Sequence, residues 1–459
     1  MKVDKKILEK YNIPVPRYTS YPPANHFKEG FAESEYVQFI EQSNNQEPNH
    51  IALYIHIPFC KKICFYCGCN ACTIKEEQLI EEYIKALKKE IIKVFGSLDK
   101  NRKVSQIHYG GGTPNAIDVK YIEEINNLIF NEFSLIENPE IAIECNPAQL
   151  DYDYIDRLLG AKFNRFSLGI QDFNTEILKS VNRSPSALPV NEIVSYLKKK
   201  NPLVAVNLDF IYGLPGQNVD GFLKTINQAI KIKPDRLVTF SYAHVPWLKK
   251  HQIILEKKGL PSSELKMEMF LSARELLLES GYLPVGLDHY VLPKDELGQA
   301  LNQNSLHRNF QGYCTKRTTG QVYAFGVSSI SQLENGYAQN VKELDIYIET
   351  VNKGKFPVEK RMLLTKDQII VRDIINELMC NNQLDLSKIA EKYQINIDAV
   401  EKITGFNENK LKNFISDDLM TFIDNKIEVS GKGSLFIRNI AATFDPEYIE
   451  QENKYSKTV

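Results

Sequence analysis

Three cysteines with the spacing Cys60-x3-Cys64-x2-Cys67 fall within the stretch YIHIPFCKKICFYCGCN, and Cys69 and Cys72 follow close behind. So many thiols on one short segment point to metal ligation. Cysteine thiolates hold the irons of iron-sulfur clusters and also build tetrahedral zinc sites. A zinc site would need Cys69 or Cys72 as its fourth ligand, and the usual zinc pattern adds a second, distant pair. Here the remaining cysteines, Cys145, Cys314 and Cys380, are scattered singly. A [4Fe-4S] cluster ordinarily takes four thiolates. If only the three bind, one iron is left open to a small ligand. A secreted disulfide framework would spread its cysteines more evenly, and the N-terminus carries no secretion signal, so a cytoplasmic protein is expected.

A second candidate is the run Gly110-Gly111-Gly112-Thr113-Pro114. Glycines let a backbone approach a ligand without Cβ clashes and leave amides free to face it, although such a run taken alone is more often a turn. Glu144 and Asp209 end apolar runs; they could accept hydrogen bonds from a ribose or an ammonium group, or cap a helix. By residue type alone, Gln171 and Arg183 read as solvated loop residues.

From Ile51 to about Tyr290, β-branched runs alternate with amphipathic stretches, which predicts βα units and a mainly parallel sheet. Strands are expected near Leu53, Val104, Ile141, Arg165, Val204 and Leu237. Between the first two, EEQLIEEYIKALKKEIIKVF has the three- and four-residue apolar spacing of a surface helix. Six units make an incomplete (β/α)6 barrel of TIM type, an α/β fold. The candidate residues follow the strands' ends, the face on which such barrels carry their chemistry. Residues 1–50, with the proline-rich and aromatic segment PRYTSYPP, are expected to form an ordered flap. Residues 51–361 would be the barrel and its extension. Residues 362–459 read as a smaller, mostly helical domain resembling a winged helix, with a wing at KIEVSGKG.

The balance of 56 Lys and Arg against 58 Asp and Glu gives no field for phosphate neutralisation. The C-terminal part, with 12 basic against 16 acidic residues, has the wrong sign for a nucleic-acid partner. No apolar run is long enough to span a bilayer, so no membrane association is expected.

The Cys-x3-Cys-x2-Cys loop resembles the radical S-adenosylmethionine (SAM) superfamily, in which the SAM amino and carboxylate groups occupy the open iron. The resemblance narrows to the oxygen-independent coproporphyrinogen III oxidase family through Gly68-Cys69-Asn70. PRYTSYP, HYGGGTP, SLGIQDFN with VNR, LDFIYGLPGQ, FSYAHVP, GLDHY, LHRNFQGY, YAQN and IRNI follow in the family's order over nearly the whole chain.

That resemblance implies a [4Fe-4S] cluster on Cys60, Cys64 and Cys67, with Cys69 outside the ligand set, and two SAM molecules. The cluster-bound SAM would meet Tyr54, Gly111, Glu144, Ala243 and Ile330. The second would meet Tyr66, Gly112, Thr113, Gln171, Arg183 and Asp209. It implies a 5′-deoxyadenosyl radical that removes hydrogen from propionate β-carbons, turning two propionates of coproporphyrinogen III into vinyl groups of protoporphyrinogen IX. The electron would come from a flavodoxin or ferredoxin, and a monomer is expected.

Carboxylates suit guanidinium partners, so Arg17, Arg308 and their neighbour His307 are candidate substrate contacts, whereas His244 and His289 read as structural. The sequence departs from the family at Tyr66, where Phe is expected, and at Cys145-Asn146, where Val-Asp is. Ala324 stands for a glycine, and Cys72 is an added thiol that could compete for iron. Two relatives define rival readings: a radical SAM methyltransferase, and a haem chaperone that lacks the PRYTSYP segment and the cysteine at position 69.

Overall fold

The computed structural model describes residues 5–448. All six expected strands are present: β1 Ile51–Ile57, β2 Val104–Gly111, β3 Leu135–Cys145, β4 Arg165–Gln171, β5 Ala205–Tyr212 and β6 Arg236–Ser241. They pair in parallel in that order. The intervening helices include α1 Glu77–Phe95, α2 Val119–Glu132, α3 Tyr152–Gly160, α4 Val190–Lys200 and α5 Val219–Ile232. In α1 the buried residues Ile80, Tyr83, Ile84, Leu87, Ile91 and Val94 recur at three- and four-residue steps, as a helix lying on a sheet requires. Asp118, Asp151 and Asn218 cap α2, α3 and α5 by accepting backbone N–H groups of the first turn.

The barrel does not close. A seventh parallel strand, β7 Gln321–Phe325, adds to the free edge of β1, and antiparallel strands beginning with β8 Ile330–Leu333 extend it into a 13-stranded sheet. On the far side His289–Val291 pairs antiparallel with β6. This extension is larger than six βα units predict, because the segments after Tyr290 are short strands with few helices between them.

The barrel strands alternate where a strand buried on both faces would be continuously apolar. In β4, Phe166, Leu168 and Ile170 are buried under the helices, whereas Arg165, Ser167, Gly169 and Gln171 are half-buried on the other face. That face lines a polar lumen. At its lower end Glu140 on β3 accepts from Gln106 on β2 at 2.7 Å and pairs with Arg165 at 2.9 Å. Arg236 on β6 lies 3.9 Å from Glu140 and 2.9 Å from Asp295. Buried charges persist only when paired and hydrogen-bonded, and this network plugs the barrel floor.

The segment around PRYTSYPP is ordered, with Val15, Tyr18 and Tyr21 buried. Arg438 donates to the carbonyls of Val15 and Pro16, Tyr18 OH donates to Asp445 at 3.0 Å, and Tyr337 OH donates to Tyr21 O at 3.0 Å. Toward the C-terminus, helices Lys366–Asn381, Leu386–Tyr393 and Ile397–Thr404 pack with a small antiparallel sheet whose strand Lys426–Val429 occupies the expected wing. Among the described residues, no helix is long and apolar enough to cross a membrane.

Burial alone would raise the Glu140 carboxyl, but Arg165 and Arg236 outweigh it and hold it at about 2, below its ordinary 4.5. A depressed carboxylate contributes stability above the unfolded value and loses it as pH falls toward the folded one. Urea unfolding should therefore show about 3 kcal/mol lost to this group between pH 4.5 and pH 2. Glu140→Gln should flatten that window, and at pH 7 it should cost about 3–5 kcal/mol by leaving the Arg165 guanidinium without a carboxylate partner.

Candidate iron-sulfur and cofactor site

The cysteine loop leaves the top of β1 and is tied down along its length. Gly112 N–H donates to Ile57 O at 2.8 Å and Thr113 N–H to Phe59 O at 3.0 Å, so the glycine run lies directly against the strand that delivers Cys60. A Cβ on Gly112 would meet Pro58 O at 2.7 Å, and one on Gly111, at φ +118°, would meet the His56 ring at 2.8 Å. Thr113 Oγ1 stands 3.3 Å from Cys60 Sγ. Further along, Phe65 N–H donates to Val181 O at 3.0 Å and Asn182 Nδ2 to Ile63 O at 2.7 Å. From above, Gln252 Nε2 donates to Tyr66 O at 3.0 Å, His251 Nε2 to Cys67 O at 2.9 Å and Lys249 Nζ to Cys69 O at 2.7 Å.

Cys60, Cys64 and Cys67 lie in one another's electrostatic field. Burial pushes the Cys60 thiol up to about 11, whereas a hydrogen bond from Cys69 brings Cys67 down to about 6, on the thiolate side of neutrality. The half-buried Arg183 guanidinium, 3.9 Å from Cys64 Sγ, adds positive charge beside the thiols. Among the described residues no three Cys, His, Asp or Glu side chains converge on one point as a single-ion site demands. A four-iron cube asks something different, one thiolate for each of three corners, and three thiols on one pinned loop fit that demand. Cys69 acts here as a hydrogen-bond partner of Cys67. Cys72 registers with Phe59 in a short parallel pairing, so its side chain shares the Phe59 face. Phe59 packs on Tyr83, whereas Cys60, the next residue, projects to the opposite face toward Thr113. The added thiol therefore points away from Cys60.

The lumen below the loop gathers most of the expected cofactor residues. Tyr54 stacks on His108 at 5.9 Å, and His108 Nε2 lies 3.0 Å from Glu144 Oε1. Tyr54 registers with Ala324 on β7, and Val322 with Gln332 on β8, which brings Ile330 to the same face. Gly110 packs against Glu144 and Tyr54. Gln171 adopts φ +69°, and Arg183 donates to Gly169 O beside it. Asp209 accepts from Ser167 Oγ at 2.6 Å and Asn207 Nδ2 at 2.7 Å, and burial pushes its carboxyl up. Gln171 Oε1 and Asn207 Oδ1 are buried without a partner among the described residues. Buried acceptors left unpaired carry a cost, which a polar ligand at Gln171, on the end of β4, would offset. Ala243 is exposed just beyond β6, next to a His244 already held by Tyr242 and Glu256. Sequence reasoning missed His56, which bridges Tyr54 OH at 3.2 Å and Asn70 O at 3.0 Å, and His108. Their signal was period-two spacing from Tyr54 in IALYIHI and from Gly110 in IHYGG.

Residues 54–229 match the radical SAM superfamily. Over the full length, the chain is 38% identical to the oxygen-independent coproporphyrinogen III oxidase of Synechocystis sp., covering 98% of this chain and 96% of that one. It is 36% identical to the Escherichia coli enzyme of the same name, again over 98% and 96%. The solved structure of E. coli coproporphyrinogen III oxidase (HemN), described as a radical SAM enzyme, superposes with a TM-score of 0.89 at 34% identity, covering 98% of this chain and all of that one. The chain belongs to the oxygen-independent coproporphyrinogen III oxidase family. Membership in this radical SAM family implies a [4Fe-4S] cluster and SAM.

In this member of the oxidase family, cations also collect at the barrel mouth. Exposed Arg17 lies in the field of Tyr212, Asp288 and Lys266, and Lys266 Nζ donates to Tyr242 O at 3.0 Å, just past the end of β6. Arg308 stacks over Tyr313 at 5.1 Å and donates to the carbonyls of Arg17 and Tyr18 at 3.2 and 3.4 Å. His307 does not join them. Adjacent residues on a strand point to opposite faces, and His307 lines a separate cavity of about 1020 Å³ with Lys316, Arg372 and Asp373, where burial lowers its imidazole to about 4. His289 is engaged by Asp288 at 2.7 Å. Lys266 sits in a helix with no motif around it, which hid it from the sequence.

Because the backbone of Pro58 cannot yield as a side chain would, Gly112→Ala should cost about 1–3 kcal/mol of stability and displace Cys60. Anaerobic reconstitution of that variant should recover much less iron and sulfide per chain than the native protein. Cys72→Ala should reconstitute as the native protein does.

Proposed function

We propose that this chain decarboxylates two propionates of coproporphyrinogen III to vinyl groups without oxygen, giving protoporphyrinogen IX in haem biosynthesis, as a radical SAM oxidoreductase. When bound, the cluster and SAM supply hydrogen-atom abstraction at a propionate β-carbon. One observation carries the reading: the pinned three-cysteine loop and the Arg17, Arg308 and Lys266 cations share one barrel mouth.

Cys60, Cys64 and Cys67 hold the cluster. Tyr54, Gly111, Glu144, Ala243 and Ile330 serve the SAM on the open iron, where Glu144, braced by His108, presents a carboxylate to an ammonium group. Tyr66, Gly112, Thr113, Gln171, Arg183 and Asp209 serve a second SAM, for which the unpaired Gln171 Oε1 is a ready acceptor. Arg17 and Arg308 take substrate carboxylates, and the flap that carries Arg17 closes the mouth and keeps water from the reacting carbon. His307, facing the other cavity, has no part in this grip. The chain works as three parts, 1–50, 51–361 and 362–459, as a cytoplasmic monomer with no nucleic-acid or membrane partner, fed by a flavodoxin or ferredoxin.

The test is anaerobic reconstitution followed by incubation with coproporphyrinogen III, SAM and dithionite. Vinyl product and 5′-deoxyadenosine should appear together; a cluster-loaded protein that yields neither overturns the assignment, and a methylated product without carbon dioxide would favour a methyltransferase. Arg308→Ala, which also frees the carbonyls of Arg17 and Tyr18, should weaken substrate binding about tenfold, or ~1.4 kcal/mol, while SAM is still cleaved. Unchanged affinity removes Arg308 from the grip.

A further inference from the structure

The segment that covers the cysteine loop has a surface that the reaction does not use. Between β6 and the helix Ser263–Glu279, the chain turns back over the loop and presents Trp247 and Leu248, each 72% exposed. Trp247 is the only tryptophan of the chain. Ile253 and Ile254 of the same segment are also exposed. Large apolar side chains left together in water mark an interaction surface more often than chance exposure does.

The charge around them is one-sided. From Val245 to Ser262 the sequence has Lys249, Lys250, Lys257 and Lys258 against Glu256 alone, in a chain whose net charge is −2. Glu256 is engaged by His244 at 2.7 Å. The cysteine loop adds exposed Lys61 and Lys62, and Lys258 Nζ lies 5.3 Å from the Phe65 ring of that loop, so the basic segment and the loop meet side by side. An apolar centre with a basic rim is complementary to an acidic protein surface.

The face also has a direct path inward. Lys249 and His251 each make a single hydrogen bond to the backbone of Cys69 and of Cys67, and Gln252 makes one to Tyr66. No other layer of protein lies between this segment and the loop at those points. We propose that the Trp247–Leu248 face, flanked by Lys250 and Lys257, is the docking site of a small acidic protein that carries one electron to the cluster. The step is outer-sphere: the carrier is oxidised by one electron, the cluster is reduced by one, and no bond is made or broken. The inference rests on the proposed cluster ligation.

The test uses the reconstituted full chain with 5-fluorotryptophan incorporated, so that its one tryptophan gives a single 19F resonance. Flavodoxin added at low salt should shift or broaden that resonance, and 0.5 M NaCl should reverse the change. The double substitution Lys250→Glu with Lys257→Glu should weaken flavodoxin binding at least about tenfold and slow flavodoxin-driven SAM cleavage. Dithionite-driven cleavage should be unaffected, since dithionite needs no docking face. If dithionite drives no cleavage in the native protein, the functional reading fails. If dithionite works but flavodoxin leaves the resonance and the charge-reversed variant's affinity unchanged, the docking site is overturned. A resonance that moves with coproporphyrinogen III and not with flavodoxin would make the segment a substrate lid and also overturn it.

Discussion

The site depends on one close approach. The backbone of the glycine run lies on the backbone of Pro58 and Phe59, with hydrogen bonds from Gly112 and Thr113 and no room for a Cβ at Gly112. That contact fixes where Cys60 leaves the barrel, sets Thr113 against its sulfur and brings Gly111 onto His56. A side chain at these positions would open the gap between β1 and β2, which is the gap through which both the cysteine loop and the lumen residues are positioned. A rigid scaffold of parallel strands can hold a constellation to the tolerance that catalysis needs, and here the tolerance is set by backbone against backbone.

A polar lumen is an unfavourable thing to build inside a sheet. Each inward side chain gives up burial that Val or Ile would have supplied, and each unpaired polar atom adds a desolvation cost. The structure divides the problem along the barrel axis. At the floor, Gln106, Glu140, Arg165, Arg236 and Asp295 are joined by hydrogen bonds and ion pairs, although Arg165 Nε and Arg236 Nη1 keep no hydrogen-bond partner there. Nearer the mouth, Gln171 at the end of β4 keeps a buried acceptor without a partner. The opposite charges at the floor are paired, whereas the unpaired acceptor of Gln171 nearer the mouth is one that a polar ligand can complete.

The six parallel strands and their order were legible, because each βα unit repeats the same local signals of apolar run, cap and amphipathic helix. The ligand loop was legible too, since its three cysteines are adjacent in sequence. What escaped was set by tertiary geometry. Strand β7 joins β1 only after a long excursion, and nothing local marks Gln321–Phe325 as parallel. His307 and Arg308 read as one motif, yet strand alternation sends them to different cavities. Cys72 reads as a possible competitor for iron in sequence, and only its pairing with Phe59 shows which face its side chain shares. His56 and His108 were in view but silent, since period-two spacing does not say which face is hollow.

On the grip proposed for Arg17 and Arg308, a substrate with several carboxylates would suit the cationic mouth better than a neutral ring of the same size. Burial and the nearby Arg17 and Arg308 lower the Arg438 guanidinium to about 9, and burial together with Arg17 lowers Lys266. Cations that depress one another are held together against their repulsion by the fold around them. A carboxylate arriving among them relieves that repulsion as well as forming its own ion pairs, so each propionate gains more than an isolated surface pair would give. A neutral macrocycle could fill the same volume and would leave the repulsion in place. Arg438 also holds the Val15 and Pro16 carbonyls, and Arg308 those of Arg17 and Tyr18. On that proposal, the charge offered to substrate carboxylates is also the charge that fastens the N-terminal segment, and binding at the mouth and closure over it would draw on the same interactions.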